Sequence, residues 1–231
     1  KVKVLRLREG IGPAAARFLA STLWKGETFY LQIDSHMKFV KYWDVIITED
    51  LNNCDGNRCV LTCYPPPELT SKPVSSITEN WKWDPHNHII AQGKIQHVKE
   101  KPCLGIFVSA GFLFFRAEPF LTEISYDPNL YYLFQGEEIL LSARLFTKGW
   151  LIYHPSMCVC SHDYLRHDQP KVWQNNAAFW AHNAVAVRKY RYLTHQLKCG
   201  DPPPTTYGLG TVRSVEKWKE MIGLDPEIRF D

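Results

Sequence analysis

The chain has 231 residues, of which 45% are hydrophobic, 13% aromatic and 22% charged. That length can bury roughly 70–75% of its unfolded surface in one core, and the aromatic content excludes a disordered chain. The formal net charge is only +3 and its Lys and Arg are scattered, which excludes a dedicated nucleic-acid binder.

The chain opens Lys-Val-Lys-Val, and the alternation over residues 2–7 predicts a strand. There is no secretory leader pattern at this start. The abrupt opening is that of a fragment, so an upstream anchor stays open. Gly12-Pro13 opens a helix over 14–24, with Pro13 at the favoured first position and Gly26 past its end. Residues 29–33 are apolar except for one Gln, the pattern of a strand buried on both faces as in parallel sheets. Strand, helix and strand together predict a βαβ unit. A helix over 45–51 and a strand over 59–63 follow, the latter stopped by Pro65-Pro66-Pro67.

Residues 70–102 are polar and interrupted and read as a long excursion or hairpin. A β-type run over 104–115 contains Ser109-Ala110-Gly111. The apolar stretch 103–115 is shorter than the ~20 residues of a membrane span. Helices are predicted over 118–124 and 137–146, a strand over 150–153, and helices over 172–190 and 212–221. The seven cysteines read as buried free thiols, with a zinc corner at Cys158, Cys160 and His162 as the alternative.

Chemistry concentrates where the strand over 29–33 ends in Asp34-Ser35-His36. In extended chain, residues two apart point to one side, and open α/β sheets bind ligands at the carboxyl ends of their strands. Asp34 and His36 can then aim at one divalent ion such as Mn²⁺. The bland alternative is a capping Asp and a surface His. Glu137 and Glu138 open a helix, where the dipole alone favours carboxylates. Arg17 is either a phosphate ligand or a surface residue of an amphipathic helix. Trp81 and Trp83 are either a flat platform or packing. Asp84-Pro85-His86 and Asp127-Pro128 read as turns.

Asp34-Ser35-His36 resembles the Asp-x-His metal motif of GT-A polypeptide N-acetylgalactosaminyltransferases. A wider set of motifs is similar to the protein α-N-acetylglucosaminyltransferases that modify hydroxyproline on the Skp adaptor of SCF ubiquitin ligases, or mucin Thr. These are Gly12-Pro13 with Ala16-Arg17; Leu23-Trp24-Lys25-Gly26-Glu27; Tyr30-Leu31-Gln32-Ile33-Asp34-Ser35-His36-Met37; Phe107-Val108-Ser109-Ala110-Gly111-Phe112-Leu113-Phe114; Gly136-Glu137-Glu138-Ile139 with Arg144-Leu145 and Gly149-Trp150; and His162, Arg166 and Pro170.

The resemblance implies an α/β GT-A (Rossmann-like) fold with a mostly parallel central sheet flanked by helices. It implies a catalytic domain over 1–170 and a helical extension over 171–231 packed on it. The implied activity is retaining transfer of N-acetylglucosamine from UDP-GlcNAc to a polypeptide hydroxyl. Asp34, His36 and His162 would hold Mn²⁺ or another divalent cation. Arg17, Asp34, Ser35, Ser109, Gly111 and Arg166 would meet the donor, and Glu138 or Glu137 the sugar or acceptor.

The usual first strand of the family, with its uridine contacts, has no visible counterpart. The first βαβ half is therefore expected to be lacking, and a non-catalytic module on the same scaffold is the alternative. Partners would be a nucleotide sugar and an SCF adaptor or mucin-like acceptor. The expected compartment is the cytoplasm, or the Golgi lumen if an anchor precedes the chain.

Overall fold

The computed structural model describes residues 2–69, 74–165, 171, 173, 174, 176–200, 202 and 205–230. In chain order the elements are α1 (Pro13–Ser21), β1 (Phe29–Ile33), β2 (Met37–Phe39), α2 (Trp43–Asn52), β3 (Cys59–Thr62), β4 (Val74–Trp83), β5 (Ile89–His97) and β6 (Cys103–Gly105). They continue as β7 (Phe112–Arg116), α3 (Ala117–Glu123), α4 (Glu137–Thr147), β8 (Leu151–His154), β9 (Cys160–His162), α5 (Phe179–Leu193) and α6 (Val215–Met221).

Five strands form the central sheet in the order β1-β7-β3-β8-β6. Only β3 and β8 pair in parallel; β1 with β7, β7 with β3 and β8 with β6 are antiparallel. The expectation of a mostly parallel sheet is therefore corrected. The run over 29–33 is apolar because both faces of β1 are covered. Phe29 and Leu31 pack toward α2, while Tyr30 stacks on Phe115 at 5.3 Å. A continuous apolar run reports two-sided coverage, which does not require parallel pairing.

Residues 2–7 form no strand and are exposed. Val2 and Val4 remain 92% and 69% accessible, so their alternation meets no partner and the βαβ unit does not exist. The run over 104–115 is also split. β6 and β7 are separate strands, and Ser109–Gly111 is a turn between them rather than mid-strand.

One face of the sheet packs on α2 and the β2/β9 pair, through Ile47, Leu51, Leu61, Phe112 and Phe114. Buried thiols at Cys54, Cys59, Cys63, Cys158 and Cys160 belong to this cluster, and all seven cysteines are unbridged. The other face packs on α3 and α4, where Phe120 stacks on Phe115 at 3.7 Å and meets Trp150 edge-on at 5.7 Å. A third cluster joins α4, α5, α6 and the β4/β5 hairpin around Phe107, Tyr190 and Trp218. Residues before and after position 170 share this cluster.

Within the excursion over 70–102, the described strands β4 and β5 form a hairpin, anchored at two points. Buried His154 bonds through Nδ1 to Thr62 O at 2.9 Å, and its Nε2 accepts from Thr78 N–H at 3.1 Å. Trp81 donates from its indole nitrogen to Ile222 O at 2.7 Å, and Trp83 packs edge-on against it at 5.1 Å. The two indoles pack the hairpin onto the core, the second of the two readings given above. Among the described residues, no helix is long and apolar enough to cross a membrane.

Candidate active site

β1, β3 and β8 run in one direction, and their carboxyl ends share an edge of the sheet. β7 runs the other way, so it begins at that edge, with Ile33 paired to Phe112 and Thr62 to Leu113. The turn before β7 is held by Thr62, whose Oγ1 accepts from Ser109 N–H at 2.7 Å and donates to Phe112 O at 2.8 Å.

Asp34 leaves β1 beside this turn, and its N–H donates to Gly111 O at 3.2 Å. A Cβ on Gly111 would stand 3.1 Å from Asp34 Oδ2, so the absent side chain leaves room for the carboxylate. Asp34 Oδ1 lies 3.7 Å from the Arg17 guanidinium, and Oδ2 lies 3.9 Å from His162 Nε2. His162 ends β9 and meets the Tyr164 ring edge-on at 4.4 Å.

α4 presents its first turn to the same space. Gly136 precedes it at φ +94, against the Tyr190 ring, which a Cβ would approach to 2.6 Å. Glu137 accepts from Arg17, which also donates to Ala110 O at 3.2 Å. Glu138 Oε1 accepts from Ala110 N–H at 2.7 Å, and its Oε2 accepts from Tyr64 OH. The backbone of one residue, Ala110, therefore ties Arg17 to Glu138.

Burial pushes the Glu138 carboxyl up to about 7, against the lowering effect of the Tyr64 and Ala110 bonds. Burial also raises Glu137, opposed by Arg17. Burial works to lower Arg17, but Glu137 outweighs it and the guanidinium stays charged. Tyr64 is raised by burial and by the adjacent Glu138, so it remains a donor.

Arg17, Asp34, Ser35, Ser109, Gly111, Glu137, Glu138 and His162 all line one cleft of about 320 Å³, a size in the range of small-ligand sites. One described residue that was anticipated, His36, does not join them. Arg166 lies outside the described residues. His36 turns away: its backbone takes φ +67, its Nδ1 is 2.7 Å from Ser35 Oγ, and it lines a neighbouring groove with Lys38 and Asp163. The expectation that Asp34 and His36 point to one side assumed extended chain, which ends at Ile33.

Among the described residues, no group of three or more His, Cys, Asp or Glu is placed to hold a metal ion. The anticipated three-ligand set is thus not assembled, and neither is the zinc corner. Asp34 and His162 alone fit a cation, as one carboxylate and one imidazole 3.9 Å apart. Ser109 Oγ is buried beside them without a hydrogen-bond partner among the described residues, an acceptor or donor left for a ligand.

Sequence reasoning missed four contributors: Tyr64, the Ala110 peptide, Gln32 and Tyr164. Gln32 is buried, donates to Ala110 O at 2.6 Å and accepts from Tyr126 OH at 2.5 Å. Its signal was present as the single polar residue in an apolar strand. Tyr64 follows the end of β3 as Asp34 follows the end of β1, so the same strand-end rule would have found it.

A solved structure described as GalNAc-T7 with UDP, GalNAc and Mn²⁺ is similar in fold, with TM-score 0.55 and 15% identity over 97% of this chain. The chain spans only 43% of that protein. The likeness supports an α/β glycosyltransferase fold of the GT-A type. No curated protein sequence matches. The family model described as Glycosyltransferase (GlcNAc) matches residues 1–228, and the chain accordingly belongs to the GlcNAc glycosyltransferase family.

Proposed function

We propose that this chain transfers N-acetylglucosamine from UDP-GlcNAc to a polypeptide hydroxyl, of hydroxyproline or Thr, with retention and with a divalent cation such as Mn²⁺. The observation that carries this reading is the meeting of Asp34, His162, Arg17 and the Glu137–Glu138 pair in one cleft at the carboxyl edge of the sheet. The GalNAc-T7 structure was obtained with UDP, GalNAc and Mn²⁺, and the same classes of ligand suit this cleft.

Asp34 and His162 would hold the cation, which supplies positive charge opposite the departing diphosphate. Arg17 is kept charged and in place by Glu137, and its edge toward Asp34 faces donor oxygens. Ser35, Ser109 and Gly111 line the donor side, where small residues admit close approach. Arg166 is assigned to the donor by its motif alone.

The acceptor hydroxyl attacks the anomeric carbon as the bond to the β-phosphate oxygen breaks, and its proton leaves to the departing phosphate. Glu138, whose carboxyl burial pushes up to about 7, would hold a sugar or acceptor hydroxyl in this reading. In this reading residues 1–170 are the catalytic unit and 171–231 its packed extension. The acceptor is an SCF-type adaptor in the cytoplasm, or a mucin-like protein if the chain is anchored in the Golgi.

The test is release of UDP from UDP-GlcNAc, with Mn²⁺ and with EDTA, for the wild type and Asp34→Ala. Loss of turnover in EDTA and in the variant supports the reading. Full Mn²⁺-dependent turnover by Asp34→Ala overturns the metal assignment, and absence of both UDP binding and turnover favours the non-catalytic scaffold.

A further inference from the structure

The rim of the cleft carries aromatic surface that the donor side does not use. Phe134, just before α4, lines the cleft and is 37% exposed. Its ring meets Trp173 edge-on at 5.3 Å, and Trp173 lies 6.0 Å from Trp180. Trp180 stands 58% exposed on the first turn of α5. Beneath them Phe179 is fully buried and lies 5.2 Å from Trp180, so the row is seated on the core.

The same surface continues past Trp180 into a groove of about 420 Å³, lined also by Val187, His86, His88, Arg188 and Arg191. No carboxylate is among the described lining residues of this groove. The nearby acid, Asp84, is held by His88 Nδ1 at 2.8 Å. Arg191 braces the hairpin turn through His86 O and Asn87 O, at 3.2 and 2.7 Å. Arg188 is exposed on the groove wall.

The geometry points to this ledge as the track on which the acceptor polypeptide lies, with apolar residues on Phe134, Trp173 and Trp180 and anionic residues beyond them at Arg188. This rests on the transferase reading of the cleft. The two ring-to-ring steps, 5.3 and 6.0 Å, correspond to about three residues of extended chain at roughly 3.3 Å each. Exposed Trp backed by buried apolar surface is the composition of protein-binding hot spots. A glycan is the less suited occupant. The rings stand at 76° and 35° to their neighbours rather than forming a flat platform, and a guanidinium selects carboxylates.

The experiment measures fluorescence anisotropy of labelled dodecapeptides on the intact chain. Each peptide carries a central hydroxyproline between Leu and Val, with either three aspartates or three lysines at one terminus, in both orientations. Binding of UDP with Mn²⁺ is measured separately on the wild type and reports on the cleft reading alone.

The ledge predicts saturable binding of an aspartate peptide in preference to its lysine counterpart. Trp180→Ala should weaken it at least about tenfold, as truncation of a hot-spot indole does. Arg188→Glu should weaken it several-fold and erase the charge preference, most strongly at low salt. Trp180 is exposed, and equal thermal melting of wild type and variant verifies that the fold is kept. Unchanged peptide affinity in Trp180→Ala overturns the proposal. So does absence of saturable binding by any peptide, or binding of chitotriose on the ledge in their place.

Discussion

Removing one hydroxyl isolates the electrostatics of the cleft. In Tyr64→Phe the ring stays and the bond to Glu138 Oε2 is lost. A hydrogen bond to a charged group contributes about 1.5–3 kcal/mol, against about 0.5–1.5 kcal/mol for a neutral pair. The difference falls on the ionised carboxylate, and at 1.36 kcal/mol per pKa unit the Glu138 carboxyl should rise by about one further unit from its position at about 7.

The same shift governs stability, and its sign is fixed. Burial raises Glu138 from 4.5 to about 7, so its contribution is fully present below 4.5 and is lost as pH rises through 7. That loss amounts to at most about 3 kcal/mol at the conversion of 1.36 kcal/mol per unit. In Tyr64→Phe the loss deepens and extends to higher pH. The penalty of the substitution should be about 1 kcal/mol at pH 5 and about 2–3 kcal/mol at pH 8.5. Urea unfolding of both proteins at the two pH values measures it, and carbon NMR of labelled glutamate reads the titration directly. Equal penalties at pH 5 and pH 8.5, with an unmoved Glu138 titration, refute the reasoning.

Three further outcomes follow from single contacts. Gly111→Ala places a Cβ 3.1 Å from Asp34 Oδ2, a misplacement expected to lower Mn²⁺–UDP affinity about tenfold, measured by calorimetry, with a stability change under about 1 kcal/mol. Burial lowers the pKa of His154, which stays neutral to serve Thr62 and Thr78. Its contribution is present above the unfolded value of ~6.5 and is lost as pH falls toward its depressed folded value. Glu138 acts in the opposite sense, so the difference between wild type and His154→Gln, followed by urea unfolding from pH 7.5 to 5, isolates the histidine. Phe120→Ala empties a fully buried site stacked on Phe115 and should cost about 3–5 kcal/mol, with the denaturation midpoint as the readout.

The local signals were legible because they are local. Pro13 at the start of α1, the Glu137–Glu138 turn opening α4 and the apolar stripe of α4 all depend on neighbours in sequence, and their elements stand within a few residues of the sequence reading. Strand direction was not legible. Two-sided coverage of β1 leaves the same apolar run whether its partner is parallel or antiparallel, and the partner, β7, lies some eighty residues away. Residues 2–7 carried an alternating pattern that no second strand completes. In the cleft, Asp34 stood out by its position at a strand end, whereas Glu137 and Glu138 were singled out by the family resemblance, because the helix dipole alone accounts for carboxylates at a helix start. The turn at His36 depends on a left-handed backbone that the sequence Asp-Ser-His does not announce.

The antiparallel insertion of β7 also explains why the site lies where it does. β1, β3 and β8 share one direction, and a parallel β7 would bring its carboxyl end, Arg116 and the start of α3, to their carboxyl edge. Reversed, β7 instead starts there, which sets the turn at Ser109–Gly111 between Asp34 and Thr62. That turn then does two things at once. Its Gly111 yields space to the Asp34 carboxylate, and the Ala110 carbonyl accepts from Arg17 and Gln32 while the Ala110 N–H donates to Glu138. The acidic side chains from β1 and α4, far apart in sequence, are thereby spaced by one rigid backbone segment rather than by mutual contact. Asp34 and Glu137 share one guanidinium, and Glu138 adds a third negative charge beside them when it ionises, so the acids repel one another in that state. In the transferase reading proposed above, a cation on the side of Asp34 that faces His162 would offset that repulsion and would supply the charge a departing diphosphate requires.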